Sequence, residues 1–288
     1  RNWRPRRAMR GLSIAVKNGV ARLRLTDARR RNPLSEPLLV NMRDFLTTLD
    51  TPKHYEDAEV RCVVIESEGP VFSAGHDLTD FRDAAPSTSR RILETCAEVS
   101  CLLQSIPQVT VAAVGGAAFA GGAQLAASCD IVLAHSDRAS FQLTGVHGRG
   151  FCHTPLVSYG GRLAPRKAFE LAVLGEQIGA EEAVSIGLAN RAVADSEWEA
   201  TVDGMAARLA ENYNKNVADG KRTFWATQAV PTLEEKYSIA TDTMVDMMGS
   251  ANWQAHIERF LDRRNSRLET INTALHGGSR ARLLRRSD

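Results

Sequence analysis

The chain has 288 residues, of which 43% are hydrophobic and 24% charged, as is ordinary for a globular protein that buries a large core. No apolar run approaches the roughly 20 residues of a membrane-spanning helix, which argues against a membrane span. The five cysteines form an odd set without C-x-x-C spacing, so we predict reduced thiols in an intracellular protein rather than a disulfide framework or a zinc site.

The positive charge is concentrated at the two ends of the chain. Residues 1–10 contain five arginines and no acidic residue, and residues 279–288 contain four arginines and one aspartate, although the net charge of the whole chain is only +2. The part between them is therefore acidic, which argues against nucleic-acid binding. The arginine-rich start fits either the remnant of a mitochondrial presequence or a plain disordered tail, and the first interpretation predicts a mitochondrial protein.

The first part of the chain predicts a hairpin, a capped helix and buried strands. Segments 12–17 and 20–25 alternate in hydrophobicity around Asn18-Gly19, the dipeptide preferred in type I′ hairpin turns. Ser35 can cap a helix over residues 36–49. Three further apolar runs predict strands: residues 60–66, 109–114 and 130–134.

Helices dominate the rest of the chain. Residues 80–89 are polar and predict a mobile loop, and the helix that follows over 89–106 ends before Pro107. Later segments predict one short strand, 188–193, and six helices: 165–174, 181–187, 197–212, 215–229, 232–248 and 252–267. We therefore divide the chain into four parts: a disordered basic tail (1–10), a mixed core (11–195), a helical region (196–268) and a second disordered tail (269–288).

Two glycine pairs interrupt the apolar stretch 110–135. Gly115-Gly116 ends a predicted strand, and Gly121-Gly122 opens an alanine-rich helical segment that reaches Ser128. A helix that begins at glycines offers free backbone N–H groups to an anion. The spacing matches neither a dinucleotide fingerprint nor a Walker loop. The stretch therefore predicts either an oxyanion site or a tight turn that packs a helix against a sheet.

A second glycine loop follows the preceding strand. The sequence VFSAGHDL occupies residues 71–78, and GGAAFAGGAQL occupies residues 115–125. Together the two stretches resemble the crotonase superfamily, the enoyl-CoA hydratases and isomerases, and the resemblance extends from Asn18 to about Leu268. It implies an α/β fold, a spiral of ββα units whose C-terminal helical region forms homotrimers or dimers of trimers.

The resemblance also implies a ligand, a coenzyme A thioester, with no metal and no other cofactor. Its thioester oxygen would lie between the backbone N–H groups of His76 and Gly121. The implied contacts to coenzyme A are Arg30, Asn32, Pro33, Leu34, Ala74, His76, Asp77 and Leu78. The arginines at 29–31 would meet the nucleotide phosphates, or else they only form a solvated loop.

The chain departs from the family at the positions that carry acid–base chemistry. Hydratases of the family use two glutamates, and the matching residues here are Gln124 and Gly145. A carboxamide exchanges no proton at neutral pH and glycine has no side chain. Because water addition needs groups that move protons, we do not expect efficient hydratase activity. The backbone oxyanion hole is retained.

Other residues and other functions remain open at this point. His76 could contact the substrate, and the sequence Gly-His-Asp at 75–77 also resembles decarboxylases of the superfamily. Cys152, followed by His153, is either a nucleophile or a packed apolar residue. The sequence thus predicts an enzyme of acyl-CoA or fatty-acid metabolism, acting as a lyase, isomerase, decarboxylase or thioesterase, or a non-catalytic acyl-CoA binder or scaffold.

Overall fold

The computed structural model describes residues 10–50 and 58–283, with side chains as far as residue 268. The chain divides into two compact units, Arg1–Trp225 and Ala226–Asp288. Of the two predicted tails, residues 1–9 and 284–288 lie outside the described residues.

The first unit contains two sheets. In chain order the described strands are β1 (Leu12–Lys17), β2 (Val20–Leu25), β3 (Cys62–Ser67), β4 (Val71–Ser73), β5 (Val109–Val114), β6 (Ala117–Phe119), β7 (Ile131–His135), β8 (Ser140–Gln142), β9 (Ile178–Gly179) and β10 (Arg191–Val193). The larger sheet has the order β1-β2-β3-β5-β7-β10 and is parallel except for the β1–β2 hairpin. The smaller sheet has the order β4-β6-β8-β9, in which only β9 is antiparallel.

The helices complete a repeating pattern with these strands. They are α1 (Glu36–Leu49), α2 (Pro86–Ser105), α3 (Gly121–Ser128), α4 (His153–Gly160), α5 (Pro165–Leu174), α6 (Ala180–Ser185), α7 (Trp198–Asn212), α8 (Lys215–Ala229), α9 (Leu233–Gly249) and α10 (Ala251–Leu283). Three successive units, β3-β4-α2, β5-β6-α3 and β7-β8-α4, each place their first strand in the larger sheet and their second strand in the smaller sheet. This is the repeat of ββα units that we expected.

The inner strands β3, β5 and β7 of the larger sheet are buried on both faces, as expected for parallel strands. Successive side chains of β3 point to opposite faces, so Val63 and Ile65 join the main core while Cys62 and Val64 join a second cluster. That second cluster contains Trp198 of α7. The first turn of α7 therefore covers the face of the sheet opposite the main core.

The first compact unit extends to Trp225 and so includes α7 and most of α8. The ammonium group of Lys221, on α8, donates to the carbonyls of Leu103 and Gln108 at 2.9 and 2.8 Å and pairs with Asp130 at 2.7 Å. The Trp225 indole donates to the other oxygen of Asp130 at 2.9 Å. Burial lowers the pKa of Lys221, although Asp130 opposes this shift. These buried contacts attach α8 to the ends of the strands.

Three predicted segments differ from the structure. The expected loop at 80–89 is shorter, since a 3-10 helix spans Leu78–Phe81 and α2 begins at Pro86, where proline is favoured in the first helical turn. The strand predicted over 188–193 begins only at Arg191. Helix α10 continues to Leu283 where we predicted a disordered tail from residue 269, and no proline interrupts that segment.

The second unit consists of the end of α8 together with α9 and α10. A capping box begins α9, because the Thr232 hydroxyl accepts from the N–H of Glu235 while the Thr232 N–H donates to the Glu235 carboxylate, both at 3.2 Å. None of the helices within the described part of the chain is long and apolar enough to cross a membrane.

Candidate active site

The two glycine loops meet at the ends of β4 and β6. Gly75 has a φ of 96°, a left-handed conformation that glycine adopts without strain. A Cβ atom at this position would lie 3.0 Å from the nitrogen of Gly121 and 3.1 Å from both the Cβ of Ala120 and the carbonyl oxygen of Phe119. Only glycine allows the first loop to approach the start of α3 this closely.

This approach brings together the two predicted oxyanion donors. Gly121 is the first residue of α3, so its N–H has no acceptor within the helix. Neither the His76 N–H nor the Gly121 N–H donates a hydrogen bond to another described residue. The imidazole of His76 packs over Gly121, since a Cβ built there would lie 3.0 Å from His76 Nδ1. The structure thus presents two unpaired donors on adjacent loops, which an oxyanion site requires.

The residue before α3 is held in a strained conformation. Ala120 has φ 47° and ψ −114°, which non-glycine residues rarely adopt. Its N–H donates to the carbonyl of Gln142 at 2.9 Å, and its own carbonyl accepts from the N–H of Gln124 at 3.0 Å. Such strain costs about 1–3 kcal/mol and persists where the surrounding structure holds it, often at functional sites. Here the strained residue immediately precedes Gly121.

Asp77 fixes the loop that carries His76. Its carboxylate is 6% exposed and accepts hydrogen bonds from the Thr79 N–H at 3.1 Å, the Thr79 hydroxyl at 2.7 Å and the Arg30 guanidinium at 2.7 Å. Burial opposes ionisation, but these hydrogen bonds outweigh it and hold the pKa of Asp77 below its ordinary value. The backbone of Leu34 forms hydrogen bonds on both sides of His76. Its N–H donates to the Gly75 carbonyl, and its carbonyl accepts from the Asp77 N–H.

The predicted coenzyme A segment is mostly turned inward. Asn32, Pro33 and Leu34 are buried, and both amide hydrogens of Asn32 are used by the carbonyls of Glu68 and Val71 at 2.9 and 2.7 Å. The Asn32 amide nitrogen therefore joins the loop before α1 to the turn between β3 and β4, while its buried side-chain oxygen has no partner among the described residues.

The charged part of the same segment is better placed for a ligand. Arg30 is half exposed but already paired with Asp77. Arg29 and Arg31 are exposed and form no ion pair with another described residue. Of the remaining predicted contacts, Ala74 is half-buried and Leu78 is 79% exposed.

The two positions that lack the family's glutamates have different surroundings. Gln124 is 2% exposed, and its amide nitrogen donates to the Ser100 hydroxyl at 3.0 Å while its oxygen has no partner. At Gly145, a Cβ would lie 2.6 Å from both the nitrogen of Cys152 and the carbonyl carbon of Phe151. The backbone around Gly145 therefore leaves no space for any side chain. Ser100, one turn beyond Cys96 on α2, was not predicted; only its position beside the apolar face of that helix could have indicated it.

The structure does not join Cys152 and His153 as nucleophile and base. The Cys152 sulfur accepts a hydrogen bond from the Gly145 N–H at 3.2 Å, and burial raises the pKa of the thiol, so the neutral form predominates. His153 is exposed, with its ring centroid 5.1 Å from that of Phe151. No hydrogen bond links the two side chains, and no three described His, Cys, Asp or Glu residues are grouped so that they could hold a metal ion.

His76 differs from these two residues because its ring lies beside the oxyanion donors. Burial lowers the pKa of His76, against a smaller opposing effect of Asp80, so the imidazole is neutral at pH 7. Its ring meets Phe81 edge to face with centroids 5.8 Å apart. The Nε2 atom is buried without a hydrogen-bond partner among the described residues.

Comparison with known sequences gives a consistent picture. The sequence profile of the family described as "Enoyl-CoA hydratase/isomerase" matches residues 15–270. "Enoyl-CoA hydratase domain-containing protein 3, mitochondrial" from Mus musculus is 37% identical over 254 residues, covering 88% of this chain and 82% of the relative. The protein of that name from Danio rerio is 34% identical over 263 residues, covering 90% and 88%. A likeness to this member of the family is predicted by four stretches of the sequence, and the matches confirm it: residues 71–78, 129–134, 140–141 and 151–155.

Solved structures show the same fold. The crystal structure of human enoyl Coenzyme A hydratase domain-containing protein 3 superposes with a TM-score of 0.80 at 29% identity, covering 88% of this chain and 98% of that one. An enoyl-CoA hydratase from Mycobacterium smegmatis gives a TM-score of 0.81 at 31% identity, covering 88% and 96%. These likenesses confirm the crotonase-type α/β spiral with its C-terminal helices. Since the family profile also spans most of the sequence, the chain belongs to the enoyl-CoA hydratase/isomerase family.

Proposed function

We propose that this protein binds acyl-CoA thioesters and stabilises an enolate formed from the acyl group. The thioester oxygen lies between the N–H groups of His76 and Gly121 and accepts a hydrogen bond from each. The observation that carries the proposal is the close approach of Gly75 to the start of α3, which places these two unpaired donors side by side. Preorganised donors of this kind contribute about 10²–10³ each to the rate of a reaction in which negative charge develops.

The nucleotide part of coenzyme A lies against the loop that precedes α1. Arg29 and Arg31 are exposed, and neither is neutralised by a described acidic residue. They meet the phosphates, while backbone groups of residues 32–34 contact the adenosine. The coenzyme A thioester is itself the substrate or ligand, and the proposed chemistry uses no metal and no other cofactor.

Proton transfer limits the chemistry that this site performs. Gln124 and Gly145 supply no acid or base, Cys152 is a hydrogen-bonded thiol and His153 is exposed. The neutral imidazole of His76 is the titratable side chain beside Gly121, and it is the group placed to move a proton. We therefore propose slow lyase or isomerase chemistry in acyl-CoA or fatty-acid metabolism. The buried carboxamide at 124 also favours a second candidate, a binder of acyl-CoA without catalysis.

The named relatives support two further parts of the proposal. We propose that the protein is mitochondrial, as the printed names of its Mus musculus and Danio rerio relatives state for those proteins. We also propose a homotrimer or a dimer of trimers assembled through the helices of the second unit. Large apolar side chains on α9 and α10 support this, since they are 41–67% exposed: Leu233, Tyr237, Met244, Val245, Met248, Phe260, Leu261 and Leu268.

The Gly121 donor can be tested with two matched variants. Gly121→Ala adds a Cβ that meets the His76 ring at 3.0 Å but keeps the N–H, whereas Gly121→Pro adds the same Cβ and replaces the N–H hydrogen by a ring carbon. Proline is well tolerated at the first position of a helix. Calorimetric titration of the full chain with butyryl-CoA and with free coenzyme A should show that Gly121→Pro weakens thioester binding about 2- to 12-fold more than Gly121→Ala does. Equal binding by both variants would show that this N–H does not contact the thioester.

The catalytic part is tested on the unmodified protein with crotonyl-CoA. Each missing acid–base group is worth about 10²–10⁴ in rate. We expect hydration to be far slower than the roughly 10–10³ per second of efficient enzymes. The loss of enoyl-thioester absorbance measures this rate. Turnover within that range would contradict the proposal, and a His76→Ala variant would then show whether His76 transfers the protons.

A further inference from the structure

Helix α3 is held at both of its ends. It has eight residues, all of them buried, and it begins at Gly121, one of the two proposed oxyanion donors. With a rise of about 1.5 Å per residue, the helix is about 12 Å long, and helices curve only gently over such a length. It therefore behaves as a stiff rod, in which a shift at one end is passed to the other end.

The start of α3 lies tightly against β4 and the loop that follows it. A Cβ at Gly122 would lie 2.3 Å from the carbonyl oxygen of Ser73. A Cβ at Gly75 would lie 3.0 Å from the nitrogen of Gly121. These contacts leave no space for the start of α3 to move closer to β4. They do not prevent it from moving away, so a second contact must hold the helix in place.

Arg162 holds the other end of α3. Its Nε atom donates to the carbonyl of Ala127, in the last turn of the helix, at 3.1 Å. Carbonyls of the last turn have no acceptor role within the helix, and the helix dipole favours a cation at this end. The backbone N–H of Arg162 donates to the Tyr159 carbonyl at 2.9 Å. The arginine is thereby anchored to the end of α4 and connects that helix to the end of α3.

The guanidinium group of Arg162 is kept in place by an aromatic ring. Its central carbon lies 4.0 Å from the centroid of the Trp225 ring, a cation–π contact, and the Trp225 indole is fixed in turn by its hydrogen bond to Asp130. The Nη2 atom of Arg162 is buried without a hydrogen-bond partner among the described residues, and burial lowers the pKa of the group. Because the desolvation of this cation is only partly offset, stability alone does not explain its position.

We infer that Arg162 is a positioning residue for the oxyanion donor at Gly121: by fixing the far end of α3, it keeps the Gly121 N–H within hydrogen-bond distance of the thioester oxygen. This inference rests on the proposed function and adds to it a residue that lies at the opposite end of the helix. Hydrogen bonds weaken steeply as their geometry departs from the ideal, so a retreat of α3 reduces the contribution of the thioester to binding. The nucleotide part of coenzyme A is bound elsewhere and is unaffected.

The test measures the ratio of the affinities for butyryl-CoA and for free coenzyme A by calorimetric titration of the full chain. We expect Arg162→Met to lower this ratio by a factor of about 2–12, the range for one neutral hydrogen bond. Arg162→Lys keeps a cation and a donor for the Ala127 carbonyl and should lower the ratio less. Arg22→Met is the matched control, because Arg22 is also a partly buried arginine but pairs with Glu66 on the larger sheet. Its ratio should equal that of the unmodified protein.

A double-mutant cycle shows whether Arg162 acts through the Gly121 N–H. In a Gly121→Pro background this N–H is already absent, so the addition of Arg162→Met should leave the affinity ratio unchanged. A structural role of Arg162 that is independent of Gly121 predicts instead that the same loss recurs in this background, because the effects of independent sites add. The cycle therefore separates positioning of the donor from a general disturbance of the fold.

The outcomes distinguish this inference from the proposed function. An unchanged ratio in Arg162→Met, or an equal loss in Arg162→Lys, overturns the inference and leaves thioester binding in place. A further loss when Arg162→Met is added to Gly121→Pro also overturns it. If the unmodified protein binds butyryl-CoA no more tightly than free coenzyme A, the proposed function itself is wrong. Thermal melting confirms that each variant is folded, and Trp225→Leu, which removes the ring beneath the guanidinium, provides the same comparison if Arg162→Met does not fold.

Discussion

At position 145 the missing side chain is a requirement of the backbone. A Cβ there would lie 2.6 Å from two backbone atoms of residues 151 and 152, which cannot move as a flexible side chain would. The N–H of Gly145 also donates to the Cys152 sulfur. Restoring a glutamate at this place, alone or together with Gln124→Glu, should therefore disturb the loop before it can contribute a carboxylate.

The smallest substitution tests this steric argument. We expect Gly145→Ala to lower the free energy of unfolding by about 1–3 kcal/mol, the range for overpacking of a filled site. Urea denaturation measures the change. Gly148→Ala, in the same 3-10 segment, is the control because a Cβ there meets no atom within 4 Å. Equal stability of the two variants would contradict the crowding seen at position 145.

At the scale of the elements, the site depends on how two loops are joined. The ion pair between Arg30 and Asp77 ties the loop before α1 to the loop after β4, and the backbone of Leu34 pairs on both sides of His76. The N–H of His76 is thus positioned by contacts outside its own strand. Weakening this connection should affect thioester binding although neither charged group needs to contact the thioester.

The Arg30–Asp77 pair gives a pH-dependent prediction. Because the pKa of Asp77 in the folded protein lies below its ordinary value of 3.8, the pair stabilises the fold fully above pH 3.8 and loses this contribution as the pH falls further, through the folded pKa. Asp77→Asn should lower the free energy of unfolding by about 0.5–1 kcal/mol at pH 7. The difference between variant and unmodified protein should shrink below pH 3.8. Urea denaturation across this range checks both parts.

A readout of binding separates positioning from stability in the same variant. Asp77→Asn should weaken butyryl-CoA binding at pH 7, since the loop that carries His76 is less firmly held. Asp44→Asn, which removes a carboxylate paired with Arg43 on α1, should leave that binding unchanged. If both variants bind butyryl-CoA as tightly as the unmodified protein, the pair does not position the oxyanion donor.

The same elements show what the sequence could and could not predict. The hairpin at Asn18-Gly19 depends on local turn chemistry, and its boundaries and those of helix α1 agree with the predictions. Ser35 precedes α1 as predicted, but its side chain makes no capping hydrogen bond. The three-residue strands β4 and β6 were missed because only parallel pairing with distant segments defines them. The pattern of the glycine pairs at 115–116 and 121–122 predicted either an oxyanion site or a tight turn, and the family resemblance favoured the oxyanion site. The inward turn of Asn32 and the contact between Gln124 and Ser100 join residues far apart in sequence, so no local pattern indicates them.

At the scale of the whole molecule, the exposed apolar side chains of the second unit predict assembly. Tyr237 and Val245 on α9 are 67% and 61% exposed, and Phe260 on α10 is 55% exposed. A helix that keeps such side chains in water gains little from folding alone, because helical stability in proteins comes mainly from packing of the apolar face. The helices of this unit are therefore expected to bury these residues against other copies of the chain.

A pair of variants on α9 tests this expectation. Tyr237→Glu places a charge in the proposed interface, where it would lose hydration without gaining a partner, so light scattering at micromolar concentration should show a shift from trimer or hexamer towards monomer. Ser238→Glu adds the same charge at the neighbouring exposed position and should leave the mass unchanged if that position lies outside the interface. A purely monomeric unmodified protein would contradict assembly through these helices. A mass that Tyr237→Glu fails to change would instead place the interface on another surface, since an unpaired carboxylate could not be buried there without cost.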